Sequence, residues 1–180
     1  MKNNSTSPVF KLNTEKNRGF TLIEIAIVLA IIGMMMLLIV PKLPSSEQEN
    51  LKISARTLAG TFKYIQERAA TSRTEYYIAI YPGSDSVKIS ELGADGVSHE
   101  PSDPLLQKSP IKERVTISDV RIPRLGKAVD GQVRVDVGMG GVRDFVTVHL
   151  RSEEGQAWTV MVFPAGGKVK AYEGYHEEPP

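Results

Sequence analysis

Phe20 to Val40, reading FTLIEIAIVLAIIGMMMLLIV, decides how this chain is organised: of its 21 residues only Thr21, Glu24 and Gly33 interrupt the apolar run. A helix over this stretch, rising about 1.5 Å per residue, spans roughly 30 Å, the thickness of a bilayer's hydrocarbon core. Ahead of it lie Lys2, Lys11, Lys16 and Arg18 against Glu15, and behind it Pro41, Lys42 and Pro44. The leader's net charge of +3 predicts residues 1–19 in the cytoplasm and the remainder across the membrane. A cleaved secretory signal fits less well. The run exceeds the roughly 7–15 residues of such a segment, and Val40-Pro41-Lys42-Leu43-Pro44 offers no small-x-small cleavage site.

A plain single-pass anchor accounts for everything except Glu24. A carboxylate inside an apolar helix costs on the order of 3 kcal/mol on insertion scales and needs a cation at its own depth. Lys16 and Arg18 belong to the polar flank. A cut immediately before Phe20 would instead create an α-amino group at the top of the helix.

Lys16-Asn17-Arg18-Gly19-Phe20-Thr21-Leu22-Ile23-Glu24, followed by the apolar run, resembles the class III signal of type IV pilins and type II secretion pseudopilins. The resemblance implies that a prepilin peptidase cuts between Gly19 and Phe20 and methylates the new N-terminus. Glu24 then stands fifth in the mature chain, where the family uses it in assembly, and Pro41 stands where the family breaks its helix.

Outward from this segment, Leu51, Ala55, Leu58, Phe62, Ile65 and Ala69 recur at spacings of three and four, the core-facing stripe of a helix. Glu47 and Glu49 near its start and Arg68 and Arg73 near its end follow the helix dipole. From Thr74 the period changes to two. Runs at 75–81, 86–92, 114–122, 132–137, 144–150, 157–163 and 168–172 read as strands, separated by turns such as Pro82-Gly83-Ser84-Asp85, Asp130-Gly131 and Glu154-Gly155. The expected class is α+β: a long N-terminal transmembrane and spine helix packed on an antiparallel β-sandwich, pilin-like in outline. Its expected parts are a leader (1–19), a transmembrane helix (20–40), the periplasmic part of the spine (41–73) and a globular β domain (74–180). Gly93 to Lys112, rich in Pro, Ser and charge, reads as a mobile surface loop.

The remaining residues point away from catalysis and from nucleic acid. Net charge is +1 over 180 residues, so the body after the leader is slightly acidic, and the tail Glu173 to Pro180 carries three Glu and no Lys or Arg. Mean hydropathy of −0.16 argues against a polytopic membrane protein, and the absence of Cys removes disulfides and thiol chemistry. His99, His149 and His176 lack metal-ligand spacing; His149 reads as a surface or interface residue and His176 as part of a polar tail. Gly138-Met139-Gly140-Gly141 reads as a hairpin turn, since no Lys-Ser/Thr follows it as in a phosphate loop. Ser45, Ser46 and Ser84 lack a nucleophile setting. Asp95, Glu100 and Asp103 share a loop but not the twelve-residue calcium pattern, and read as solvated. Tyr76, Tyr77, Phe145, Trp158 and Phe163 are expected in the core.

Within the pilin-like superfamily, the helix L-x₆-L-x₃-F-x-x-I-Q-E-R-A (Leu51 to Ala69) and the late turn carrying Pro164, Gly167, Lys168 and Val169 resemble the H-type minor pseudopilins of the general (type II) secretion pathway. The acidic calcium loop of the major pseudopilins is missing. The resemblance implies a non-enzymatic subunit without cofactor. It would be held in the inner membrane with its C-terminal domain periplasmic and would work with prepilin peptidase and other major and minor pseudopilins in secretion across the outer membrane. A minor pilin of a type IV pilus, for assembly or DNA uptake, carries the same signal and remains the alternative.

Overall fold

The computed structural model describes residues 19–39, 46–93, 95–164 and 167–179. The chain divides between Leu43 and Pro44 into two units. The first contains α1 (Leu22–Ile39). The second contains α2 (Ser46–Ser72) followed by ten strands.

No helix among the described residues is long and apolar enough, taken alone, to cross a membrane. The 18 residues of α1 rise about 27 Å, against roughly 30 Å of hydrocarbon, and Val40, which closes the run in sequence, lies outside the described residues. Pro41 and its expected helix break lie outside them too, as do residues 1–18 of the leader.

In the second unit the strands are β1 (Glu75–Ile80), β2 (Val87–Leu92), β3 (Ser98–His99), β4 (Val115–Ile122), β5 (Gly126–Ala128), β6 (Val133–Gly138), β7 (Gly141–Val142), β8 (Val146–Ser152), β9 (Ala157–Val162) and β10 (Val169–Glu173). They form two five-stranded sheets, antiparallel throughout, in the orders β3-β2-β1-β6-β7 and β10-β9-β8-β4-β5. The seven expected strands are all present. The additions β3, β5 and β7 are two or three residues long, too short to show a period of two.

The stripe on α2 is what joins the sheets. Leu51, Ala55, Leu58, Phe62, Ile65 and Ala69 are all fully buried and share one core with Ile78 and Ile80 of β1, Val135 and Val137 of β6, Val148 and Leu150 of β8, and Val160 and Val162 of β9. Their 3.6-residue period keeps them on one side of α2, and the period of two keeps each strand's set on one face.

The second sheet is also buried on its outer face. A bulge between Ile117 and Asp119 puts both Ile117 and Val120 in the core and sets Asp119 opposite His149. Past β10 the chain turns back across this face. Gly174 N–H donates to the Ala157 carbonyl (2.8 Å), Thr159 Oγ1 donates to the Gly174 carbonyl (2.7 Å), and His176 N–H donates to Thr159 Oγ1 (3.0 Å). Arg121 meets Glu177 at 2.9 Å. Residues 174–177 thus form a strap over β9, β8 and β4.

The expected mobile loop is tied down instead. Its Leu106 and Ile111 are buried, Lys112 N–H donates to Ser54 Oγ (2.9 Å), and the Tyr64 hydroxyl donates to Asp103. Two apolar anchors spaced among Pro, Ser and charge leave no periodic signal, which is why composition suggested otherwise.

Candidate functional site

The residues expected to be processed sit at the start of α1. Thr21 is the N-cap: its Oγ1 accepts from the Glu24 N–H at 3.3 Å, and its carbonyl accepts from the N–H groups of Glu24 (3.1 Å) and Ile25 (3.3 Å). Thr21-x-x-Glu24 therefore has the spacing of a capping box, with Glu24 at the third helical position. The dipole's positive end favours a carboxylate there, an effect of about 0.3–1 kcal/mol at an exposed site. The Thr-x-x-Glu spacing is legible in the sequence; the cap itself is a property of the Thr21 geometry.

Among the described residues, chain neighbours aside, no atom lies within 4 Å of where a Gly19 side chain would begin, and Phe20 is 80% exposed. Around the helix, Leu22, Ile23, Ile25, Ile27, Leu29, Met34, Met36 and Leu37 are all exposed. An α-helix apolar on every side finds its stable surroundings in lipid or among other helices, not in water.

The other sequence candidates disperse. Asp95 caps its own turn, accepting from Val97 N–H at 3.0 Å, and meets His99 at 3.4 Å. That backbone donor, helped by His99, holds Asp95 below the usual carboxylate range. Asp103 is lowered as well, first by the Tyr64 hydroxyl and then by Leu105 N–H, and Tyr64 is raised in return. Both carboxylates are thus turned to local partners. Among the described residues no three His, Asp or Glu side chains are grouped to hold a metal ion. Gly138 and Gly141 pair across the β6–β7 hairpin, as a turn requires.

His149 overturns its surface reading. It is fully buried; its Nδ1 lies 2.9 Å from Asp119 Oδ1, its Nε2 donates to the His176 carbonyl at 2.9 Å, and its ring stacks on Tyr175 with centroids 3.7 Å apart. The Tyr175 hydroxyl donates to Asp119 Oδ1 (3.2 Å) and accepts from Lys127 Nζ (2.9 Å), a contact that raises Lys127. His149 points to the outer face of β8, opposite Asp119, which a strand pattern alone reads as open to solvent. The strap that covers that face comes from 27 residues further on, beyond the reach of any local pattern. Of the aromatics, Tyr76 and Trp158 are buried, whereas Tyr77, Phe145 and Phe163 are half-buried. Tyr77 lies beneath the Arg134 guanidinium (4.1 Å), and Phe145 packs against Phe163 (5.0 Å).

With this geometry in view, residues 15–40 match the family described as the prokaryotic N-terminal methylation motif. Two solved structures share the fold, both of the minor pseudopilin EpsH from the type II secretion system of Vibrio cholerae. One is 16% identical with a TM-score of 0.59, covering 74% of this chain and 100% of that one. The other is 18% identical with a TM-score of 0.53, covering 69% and 97%. No curated protein sequence matches significantly. The chain joins an N-terminal methylation motif to an α+β domain with the fold of a minor pseudopilin.

Proposed function

We propose that the chain is a minor pseudopilin, held in the inner membrane by its N-terminal helix, released from its leader between Gly19 and Phe20, N-methylated on Phe20, and then built into a short periplasmic filament that serves type II secretion. The observation that carries this reading is α1 itself: a capped helix with exposed apolar residues around its circumference, inside a matched methylation motif and ahead of a domain with the fold of EpsH. Such a helix is stored in lipid before assembly and shielded by neighbouring copies of the same helix type afterwards. The role is structural, with prepilin peptidase and other pseudopilins as partners.

Glu24 supplies register in this scheme. Its carboxylate, costly in hydrocarbon, is compensated by the Phe20 ammonium of a neighbour only when two helices stand at one relative height. Glu24→Ala is expected to abolish filament assembly while leader removal continues. Full assembly and secretion by that variant would refute the role.

The decisive experiment is intact mass and N-terminal sequencing of the full chain recovered from membranes, with and without co-expressed prepilin peptidase. A chain beginning at N-methylated Phe20 only when the peptidase is present supports the reading. A Met1 start despite active peptidase overturns it.

A further inference from the structure

Beneath the strap, His149 stands between two hydrogen-bond acceptors. Its Nδ1 faces Asp119 Oδ1 at 2.9 Å, and its Nε2 faces the His176 carbonyl oxygen, also at 2.9 Å. A carbonyl oxygen and an ionised carboxylate only accept, whereas a neutral imidazole has one N–H to donate. A single ring proton therefore leaves one of the two contacts as lone pair against lone pair, at a site where His149 is fully buried and Asp119 is 3% exposed. The neighbours of Asp119 place the missing proton on the ring and not on the carboxyl. The Tyr175 hydroxyl donates to Oδ1 (3.2 Å), Ser118 Oγ donates to Oδ2 (3.0 Å), and the Lys127 ammonium stands 3.8 Å from Oδ1. Donors on both oxygens and a cation beside them favour the ionised carboxylate. Buried in that form, it is best compensated by an imidazolium at contact distance. The Tyr175 ring, stacked within 14° of parallel on the His149 ring, turns its electron-rich face to the same cation.

We infer that His149 is an imidazolium and that its second ring proton is the latch of the strap: bound, it ties residues 174–177 over the outer face of β8 and β9, and released, it lets them lift. The closed strap holds a proton that the open strap gives up to water, so closure weakens as pH rises. The other groups around the ring leave this role to His149. On β9 the residue opposite is Thr159, which carries no charge. Lys127 of β5 reaches Asp119 and the Tyr175 hydroxyl, beside the ring. Arg121 of β4 pairs with Glu177 of the strap, a contact that loss of a ring proton leaves in place. The His176 ring needs one proton only, which its Nε2 donates to the Glu173 carbonyl at 2.6 Å, and Tyr172 of β10 lies edge-on to it. This device goes beyond the function proposed above and stands whichever machine the chain serves.

The test uses the full chain in detergent micelles, ¹⁵N-labelled so that both ring nitrogens of His149 are read by nuclear magnetic resonance as pH is raised from about 6 until the second ring proton is lost. Closure of the strap is read from the Overhauser contact between the Tyr175 and His149 rings, and integrity of the domain from the Ile78 amide in β1. The expected result is two protonated ring nitrogens while the contact is present, and an at least tenfold loss of the contact in step with the second proton, with the Ile78 amide unchanged. Asp119→Asn removes the need for that proton, because an Asn side-chain N–H donates to a bare Nδ1. In this variant the ring should be neutral with its proton on Nε2, and the contact should persist across the same pH range. His149→Gln, neutral at every pH, serves if Asp119→Asn folds poorly; its Gly174 amide, which donates to the Ala157 carbonyl, should then show no transition. A ring with one protonated nitrogen under a closed strap would overturn the proposal. So would a strap that stays closed after the second proton has gone, unfolding of the whole domain before the strap opens, or the parent's pH response surviving in either variant.

Discussion

The two helices are near opposites. In α1 apolar residues occupy every side and remain exposed, Leu22 at 88% and Leu29 at 63%; in α2 the stripe Leu51, Ala55, Leu58, Phe62, Ile65 and Ala69 is buried to 0%, and Ile53 lies outside it, exposed. In α2, a helix with a polar remainder, the stripe is satisfied by the sheets of its own chain. α1 has no polar side to give to water, so its surroundings must come from elsewhere. The same residue type therefore has different consequences in the two helices, and substitutions can measure the difference.

The largest effect is expected where a polar contact is sealed inside the second unit. His149→Ala opens a cavity, takes one partner from the Asp119 carboxylate and the ring's N–H from the His176 carbonyl, and should cost about 4 kcal/mol in denaturant unfolding of that unit. Leu58→Ala, on the buried stripe, should cost about 3 kcal/mol, whereas the chemically identical Leu29→Ala should change the same unfolding midpoint by less than about 0.5 kcal/mol. An equal cost for both would mean that α1 is packed as α2 is. Thr21→Ala removes the cap of α1 and should cost about 1 kcal/mol locally, read as roughly fivefold faster hydrogen exchange at the Glu24 amide with no change in the second unit.

The smallest effect is one of pH. The Tyr64 hydroxyl holds Asp103 below its ordinary value, so the stabilisation is present at neutral pH and is lost as pH falls through the folded-state value. Tyr64→Phe should therefore be less stable than the parent at pH 7, the difference closing once Asp103 is protonated in both. A difference that persists in strong acid would assign the effect to packing.

Local periodicity carried most of the fold into view. The α2 stripe and seven strands follow from spacings of three, four and two, and their side chains meet in the core those spacings require. What stayed hidden depends on contacts distant in sequence. The Asp119–His149 pair needs a bulge in β4 and a strap from residues 174–177, and neither leaves a local pattern. At the start of α1 Glu24 is legible in sequence as an energetic anomaly, a carboxylate in an apolar run, whereas its place in the cap depends on the geometry of Thr21.

The strap has a consequence for biosynthesis. The face of β8 and β9 that carries His149 and Thr159 is closed by residues 174–176, which are made after every strand of the domain. A growing chain therefore holds two finished central strands with their outer face uncovered until residue 176 emerges. During that interval the face lies open to water, so closing it is the last packing step the domain can take.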